Sequence, residues 1–339
     1  MAEQDVPQDR GGAKADAKHE VARRLIEAME RGDTPWQKPW SSLAMRPTNA
    51  ATQNGYRGVN RLLLAVSGRS SNYWCTYQQA AAKGWQVRKG EKGTMIVKVV
   101  EFERDGVGRG GAAASGAQEN DGREAEAEQR KGFVLKRYWV FNAEQIDGMP
   151  QAERQGDRGF DPVEKAEALV QALTEKTGLI VVHGGDAACY VPSLDEVRLP
   201  PAKAFKSQYD LWATKLHECA HSTMHAKRLG RTEAYAKRWG DSAYALEELT
   251  AEISSAILAC ETGVPMSQSP AHVQSHASYL SSWIKAIEND PMAIFTAAKN
   301  ADRICEYMLG LERDYTSAKG NEEWLADYDR AWEAELARR

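Results

Sequence analysis

The stretch KLHECAHSTMH, residues 215–225, carries three of the chain's seven histidines. Two of them, His217 and His221, stand four apart, with Glu218 between them. On a helix this spacing puts both imidazoles on one face, about 6 Å apart, so that both can reach one cation. Glu218 then stands beside that cation, placed to take a proton from water. The surrounding SQYDLWATKLHECAHSTMHAKRLG reads as one helix closing at Gly230, with Ser207 or Asp210 as its cap. The chemistry is metal-assisted hydrolysis, and the expected cofactor is Zn²⁺.

A tetrahedral catalytic site needs a third protein ligand and keeps its fourth position for water. His225 is one helical step further, but successive steps drift round the axis, which leaves it behind the site or on the surface. The metzincin pattern is excluded, because it would need glycine at 224 and histidine at 227, where the chain has Met224 and Lys227. Acidic donors remain in YALEELTAEISSAILAC, where Leu246, Leu249, Ile253, Ile257 and Cys260 keep a helical period and face a core. Glu248 and Glu252 share one flank of that helix, Glu252 nearer the apolar stripe. His272 and His276 repeat the four-residue spacing without a flanking carboxylate and read as surface residues near a helix start.

The elements that must position this motif occupy only the second half of a 339-residue chain, long enough for two domains. No apolar run approaches a membrane span, and the polar start MAEQDVPQDRGGAKADAKHE has no signal-peptide core. Five cysteines, spread without a CxxC pair, argue against a disulfide framework and against a thiolate metal site. A cytoplasmic protein with no membrane partner is expected. The net charge of −4 hides an asymmetry: residues 18–103 hold 14 Lys/Arg against 7 Asp/Glu. The two halves therefore face different partners.

Residues 1–17 read as a disordered tail. Residues 104–131, rich in Gly, Ala and Glu, bury too little apolar surface to order themselves and form an expected disordered insertion. The strand-like GTMIVKVVEFE and GFVLKRYWVFN on either side are expected to pair as a hairpin across it. An N-terminal α+β domain thus runs over 18–150, and a polar linker follows at 151–160. A mainly helical domain covers 161–315, opened by PVEKAEALVQALTEKTG with Pro162 in the first turn. A charged terminal helix follows at 316–339.

In the N-terminal domain, tryptophans and tyrosines alternate with lysines and arginines. Flat rings can stack on unpaired bases while cations follow phosphates, although the same rings could simply fill a core. TPWQKPW, NGYRGVNRLLL, YWCTYQQAAAKGWQVRKGEKG and RYWVFNAEQIDG together resemble the N-terminal domain of ArdC-type antirestriction proteins, also found at the front of plasmid TraC-type primases. The resemblance runs from about residue 19 to 149. It implies binding of single-stranded DNA without strong sequence preference. Trp36, Lys38, Trp40, Tyr56, Arg57, Asn60, Arg61, Trp74, Lys83, Arg88, Lys89 and Lys92 carry that implication.

The helices after Gly263 complete the resemblance with the zincin-like C-terminal domain of the same family. The order HExxH, then Glu-x-x-x-acid, is similar to gluzincins, where the first acid binds metal and the second orients a ligand histidine. By that resemblance Glu248 is the third ligand and Glu252 supports a histidine. The segment ACYVPSLDEVRLPP reads as two short strands round a turn, similar to the zincin edge that holds an extended peptide. Three readings follow: a single-stranded-DNA-binding antirestriction protein with a zinc peptidase site acting on a protein substrate, a DNA-independent zinc protease, or a DNA binder with a relic metal site.

Overall fold

The computed structural model describes residues 16–32, 46–103, 131–149, 162–231, 242–264 and 270–336. The expected linker lies outside them, as do the tail up to residue 15 and the insertion up to residue 130. The N-terminal half is α+β: α1 (Ala17–Glu30), β1 (Thr48–Asn49), α2 (Val59–Ala65), β2 (Tyr73–Cys75), α3 (Tyr77–Ala82), β3 (Gln86–Val87), β4 (Thr94–Glu103), β5 (Lys131–Asn142) and β6 (Ile146–Asp147). Four strands form a sheet in the order β1-β2-β5-β4, and β3 pairs with β6 beside it. β4 and β5 are antiparallel from Thr94↔Val140 to Glu103↔Lys131, the hairpin expected across the insertion.

β4 is an edge strand, and an edge leaves backbone groups unpaired. Here Asn60 of α2 closes it. The Asn60 side-chain amide donates to the Val97 carbonyl at 2.7 Å and accepts from the Val97 N–H at 2.9 Å.

The C-terminal half is mainly helical: α4 (Pro162–Thr177), β7 (Ile180–His183), β8 (Cys189–Val191), β9 (Glu196–Leu199), α5 (Gln208–Ser222), α6 (Ser242–Thr262), α7 (Pro270–Asn289) and α8 (Met292–Leu336). A small sheet has the order β7-β9-β8, with β8 and β9 antiparallel round a turn at Asp195. The charged terminal helix expected at 316–339 forms the last part of α8, whose backbone stays helical through to Leu336.

The two halves share one core. Val21, Leu25, Met29, Leu62 and Val97 join Leu169, Leu216, Ile257, Trp283 and Ile304 in a single buried cluster. Polar groups bridge the same contact. The Gly58 N–H donates to Asp302, Arg57 pairs with Glu306, and Arg46 reaches Glu261 at 2.8 Å and the Cys260 carbonyl at 2.9 Å.

α5 is shorter than its sequence pattern implies. Ser207 caps its start, accepting from the Asp210 N–H at 3.1 Å, but the helix ends at Ser222 rather than near Gly230. The Ser222 and Thr223 hydroxyls donate back to the Cys219 and Ala220 carbonyls, and Arg228 Nε donates to the Ser222 carbonyl at 2.6 Å. The Arg228 bond satisfies one of the carbonyls that the end of the helix leaves open.

Candidate metal centre

α5 and α6 pack side by side, and α6 is buried almost all round. Leu249, Ile253 and Ile257 of α6 and Leu216 and Cys219 of α5 are 0–2% exposed, which fixes the two helices rigidly. Three carboxylates on this buried helix, Glu247, Glu248 and Glu252, are only 5–9% exposed. Buried charge needs partners, and each of the three faces an imidazole.

His217 and His221 turn their Nε2 atoms toward each other at 3.1 Å. Glu248 closes the third side, 3.6 Å from His217 Nε2 and 3.5 Å from His221 Nε2. One donor atom from each residue lies within 4.8 Å of the others. Two ligand atoms on metal bonds of about 2.1 Å would be separated by about 3.0 Å at a right angle and about 3.4 Å in a tetrahedron, so the imidazole pair fits one ion.

The opposite ring nitrogens are also held. Glu252 Oε2 stands 3.2 Å from His217 Nδ1, and Glu247 Oε1 stands 3.1 Å from His221 Nδ1. A carboxylate only accepts, so each Nδ1 carries the hydrogen and leaves Nε2 as the lone-pair donor. Glu247 is itself fixed by Arg231, which donates at 2.7 and 3.0 Å to its two oxygens.

Burial opposes charge on both histidines, yet the surrounding carboxylates outweigh it. Glu248 and Glu252 hold His217 well above the usual imidazole range, and Glu247 with Glu248 pushes His221 up to about 9. Burial would raise Glu248, but the two imidazoles draw it well below the usual carboxylate range. Two imidazoles set among three buried carboxylates thus make a site where positive charge is favoured.

Glu218, 8% exposed, makes no hydrogen bond to the described residues. It follows His217 on α5. The sequence pointed to Glu218, His217, His221, Glu248 and Glu252, and all five stand on the facing α5 and α6. It missed Glu247, whose only signal was the doubled acid Glu247-Glu248, and Arg231, which lies beyond the helix. It also missed Tyr244, one turn before Glu248. The Tyr244 hydroxyl lies 3.2 Å from that of Tyr279, and burial, then Tyr279 and Glu248, raises its pKa above the usual phenol range.

His225 stays out of the cluster, because α5 has already ended. Its Nδ1 accepts from the Lys227 N–H and lies 3.7 Å from Asp195. His272 and His276 lie on α7, and their side chains are outside the description.

The residues expected to meet DNA separate into distinct settings. Trp36, Lys38 and Trp40 lie outside the described residues. Trp74, 2% exposed, is packed with Leu64, Ile96 and Val140, so it has no ring face open to a base; Tyr56 packs on the same cluster. Asn60 is committed to β4, Arg57 pairs with Glu306, and Arg61 lies 3.7 Å from Asp302. Lys83, Arg88, Lys89 and Lys92 are exposed. Among the described residues no helix is long and apolar enough to cross a membrane.

Residues 15–141 match the family model of the N-terminal domain of anti-restriction factor ArdC, and residues 165–300 match a zincin-like metallopeptidase family. Two Escherichia coli proteins named DNA primase TraC are 40% and 39% identical over 302 residues, which is 87% of this chain but 20% and 27% of theirs. The chain thus spans about a fifth to a quarter of those relatives. Protein y4eC of Sinorhizobium fredii is 34% identical, and the match covers 92% of its length. The crystal structure of the antirestriction ArdC protein from plasmid R388 in its metal-free form is 32% identical with a TM-score of 0.68, covering 88% of this chain and 99% of that one. Its Mn(II)-bound form is 31% identical with a TM-score of 0.66, covering 88% and 98%. That form corrects the expectation of zinc: the metal bound in the relative is Mn(II). Two imidazoles and one carboxylate can hold more than one first-row divalent ion, so the motif by itself does not select zinc.

Proposed function

Because the chain belongs to the ArdC family of antirestriction proteins, we propose that it protects incoming mobile DNA with two linked activities, single-stranded DNA binding by the N-terminal half and metal-dependent peptide hydrolysis by the C-terminal half. One observation carries the hydrolytic part: His217, His221 and Glu248 converge while Glu252 and Glu247 hold the far side of each imidazole. These three residues would hold a divalent cation, Mn²⁺ by analogy with the R388 protein. Such a cation supplies polarisation of a carbonyl and acidification of water. Glu218 takes a proton onto its carboxylate and delivers it to the leaving amine. Tyr244, one turn from Glu248, lines the same side of the cluster. The small sheet β7-β9-β8 stands next to α5 and offers an edge for an extended peptide.

The DNA part is supported by the basic excess of residues 18–103 and by the exposed lysines at the end of the N-terminal sheet. Two relatives named as DNA primases fit a partner that is DNA.

The test separates binding from chemistry. Glu248→Ala should abolish Mn²⁺ binding measured by calorimetry. Glu218→Gln should keep it, and should lower cleavage in a degenerate peptide library by about 10²–10⁴-fold. Cleavage undiminished in Glu218→Gln would remove Glu218 from its role, and Mn²⁺ binding unchanged in Glu248→Ala would remove the proposed ligand set.

A further inference from the structure

The end of β5 leaves aromatic rings in the open. Trp139 is 53% exposed and Tyr77, at the start of α3, is 55% exposed. Phe141 is two residues after Trp139 and so lies on the same face of β5. Half-buried against the cluster of Cys75, Ala80 and Val87, its ring meets that of Tyr77 at 6.5 Å between centroids, inclined at 67°. On the same face of the neighbouring strand Met95, directly opposite Trp139, and Val97 are buried in the core shared with α1 and α2, so the exposed ring lies on the β5 side of that cover.

Gly93 lies beneath them. A methyl group there would come within 3.0 Å of Trp139 Cβ and 3.3 Å of the Phe141 ring. Bare backbone thus lets both rings settle along the sheet.

Three lysines lie near the segments that carry the rings. Lys83 closes α3, Lys92 immediately precedes Gly93, and Lys89 lies between β3 and β4, all exposed. The neighbouring acids are already engaged. Arg69 lies 3.7 Å from both Glu91 and Glu144, and Arg88 lies 3.2 Å from Asp147. The lysines are left as a surplus over an exposed aromatic surface, which is the combination that binds unpaired nucleotides.

We propose that Tyr77, Phe141 and Trp139, bordered by Lys83, Lys89 and Lys92, form the platform on which a single-stranded polynucleotide lies, one base to each ring. The inference rests on the single-stranded DNA reading above and gives it a location. Spacing selects the ligand. Tyr77 and Phe141 are 6.5 Å apart, and two residues along a strand add about 6.7 Å to Trp139. That is about twice the 3.4 Å per nucleotide of a duplex strand. An extended single strand can match it, and a paired, stacked duplex cannot. Rings without hydrogen-bonding groups aimed at base edges make the binding indifferent to sequence.

The experiment is fluorescence anisotropy of a labelled oligothymidine on the full chain, against a duplex of equal length, over a salt series. Tyr77→Ala and Trp139→Ala should each weaken single-strand binding about tenfold, and the double variant by more than either alone. Trp139→Phe should retain most of it. Because both side chains are exposed, thermal unfolding followed by circular dichroism should be unchanged. If the wild-type chain binds and the double variant binds equally well, the platform is wrong and the DNA reading stands. If the wild-type chain does not bind, the DNA reading fails and the platform falls with it. Equal affinity for the duplex would overturn the one-base-per-ring geometry.

Discussion

Around α5 and α6 the charged groups are buried and individually matched; at the end of β5 they are exposed and interchangeable. Glu247 and Glu252 each answer one imidazole Nδ1, at 3.1 and 3.2 Å, and Glu248 stands 3.5 and 3.6 Å from the two Nε2 atoms. Lys83, Lys89 and Lys92 stand in solvent, where a phosphate can be met by any of them. The first region should respond to a single substitution with a large, specific loss. The second should lose affinity in small, nearly additive steps.

The strongest challenge to that contrast lies just beyond the metal helix. Arg228 has no exposed side-chain surface and pairs with Asp195, which also accepts from the Tyr190 hydroxyl at 3.0 Å. This cluster ties the β8–β9 turn to the end of α5. Asp195 has a φ of 51°, so asparagine is the substitution that tolerates the backbone and isolates the charge. Asp195→Asn leaves a buried guanidinium uncompensated and should cost about 3–5 kcal/mol in denaturant unfolding. A loss below 1 kcal/mol would show that the buried half is not individually matched after all.

The pH dependence has a definite sign. Burial would raise the Asp195 carboxyl, but Arg228 and Tyr190 hold it below its usual range. A depressed folded pKa gives stabilisation that is full above the unfolded value of about 3.9 and is lost as pH falls through the folded value. Wild type and Asp195→Asn should therefore differ fully at neutral pH and converge in acid.

A second, smaller effect sharpens the comparison inside the metal centre. Glu247→Gln and Glu252→Gln leave all three proposed ligands in place and weaken only the hold on His221 Nδ1 and His217 Nδ1. Each should lower Mn²⁺ affinity by about 10–100-fold. Equal losses would show the two imidazoles supported alike. A loss confined to Glu252→Gln would mean that Arg231 keeps Glu247 for stability alone.

The same contrast decides what was legible in the sequence. His217, Glu218 and His221 could be read because a helix turns residue spacing directly into geometry. Glu248 and Glu252 could be narrowed to one flank, and the structure sets Glu248 toward both Nε2 atoms and Glu252 toward one Nδ1. The hairpin across residues 104–131 was legible from β-branched residues on both sides. The end of α5 was not, because the bond from Arg228 to the Ser222 carbonyl ties the helix end to the segment after it, which no periodicity records. On the DNA side, composition announced rings and cations but not their exposure. Trp74 faces the core and Trp139 does not, and only the register of β5 against β2 and β4 distinguishes them. Asn60 likewise looked like a surface contact until the open edge of β4 gave it a structural role.

The smallest predicted effect is also the one that tests additivity. Replacing Lys83, Lys89 or Lys92 singly with alanine should weaken single-strand binding only a few-fold at moderate salt. Each should also reduce the slope of log affinity against log salt by about 0.7, the value for one phosphate contact on a single strand. The triple variant should lose about three times that slope, since exposed charges separated by water act independently. A single lysine that removed most of the slope would behave like the carboxylates of the metal centre. It would mark a fixed phosphate pocket in place of the diffuse positive margin that the exposed lysines form.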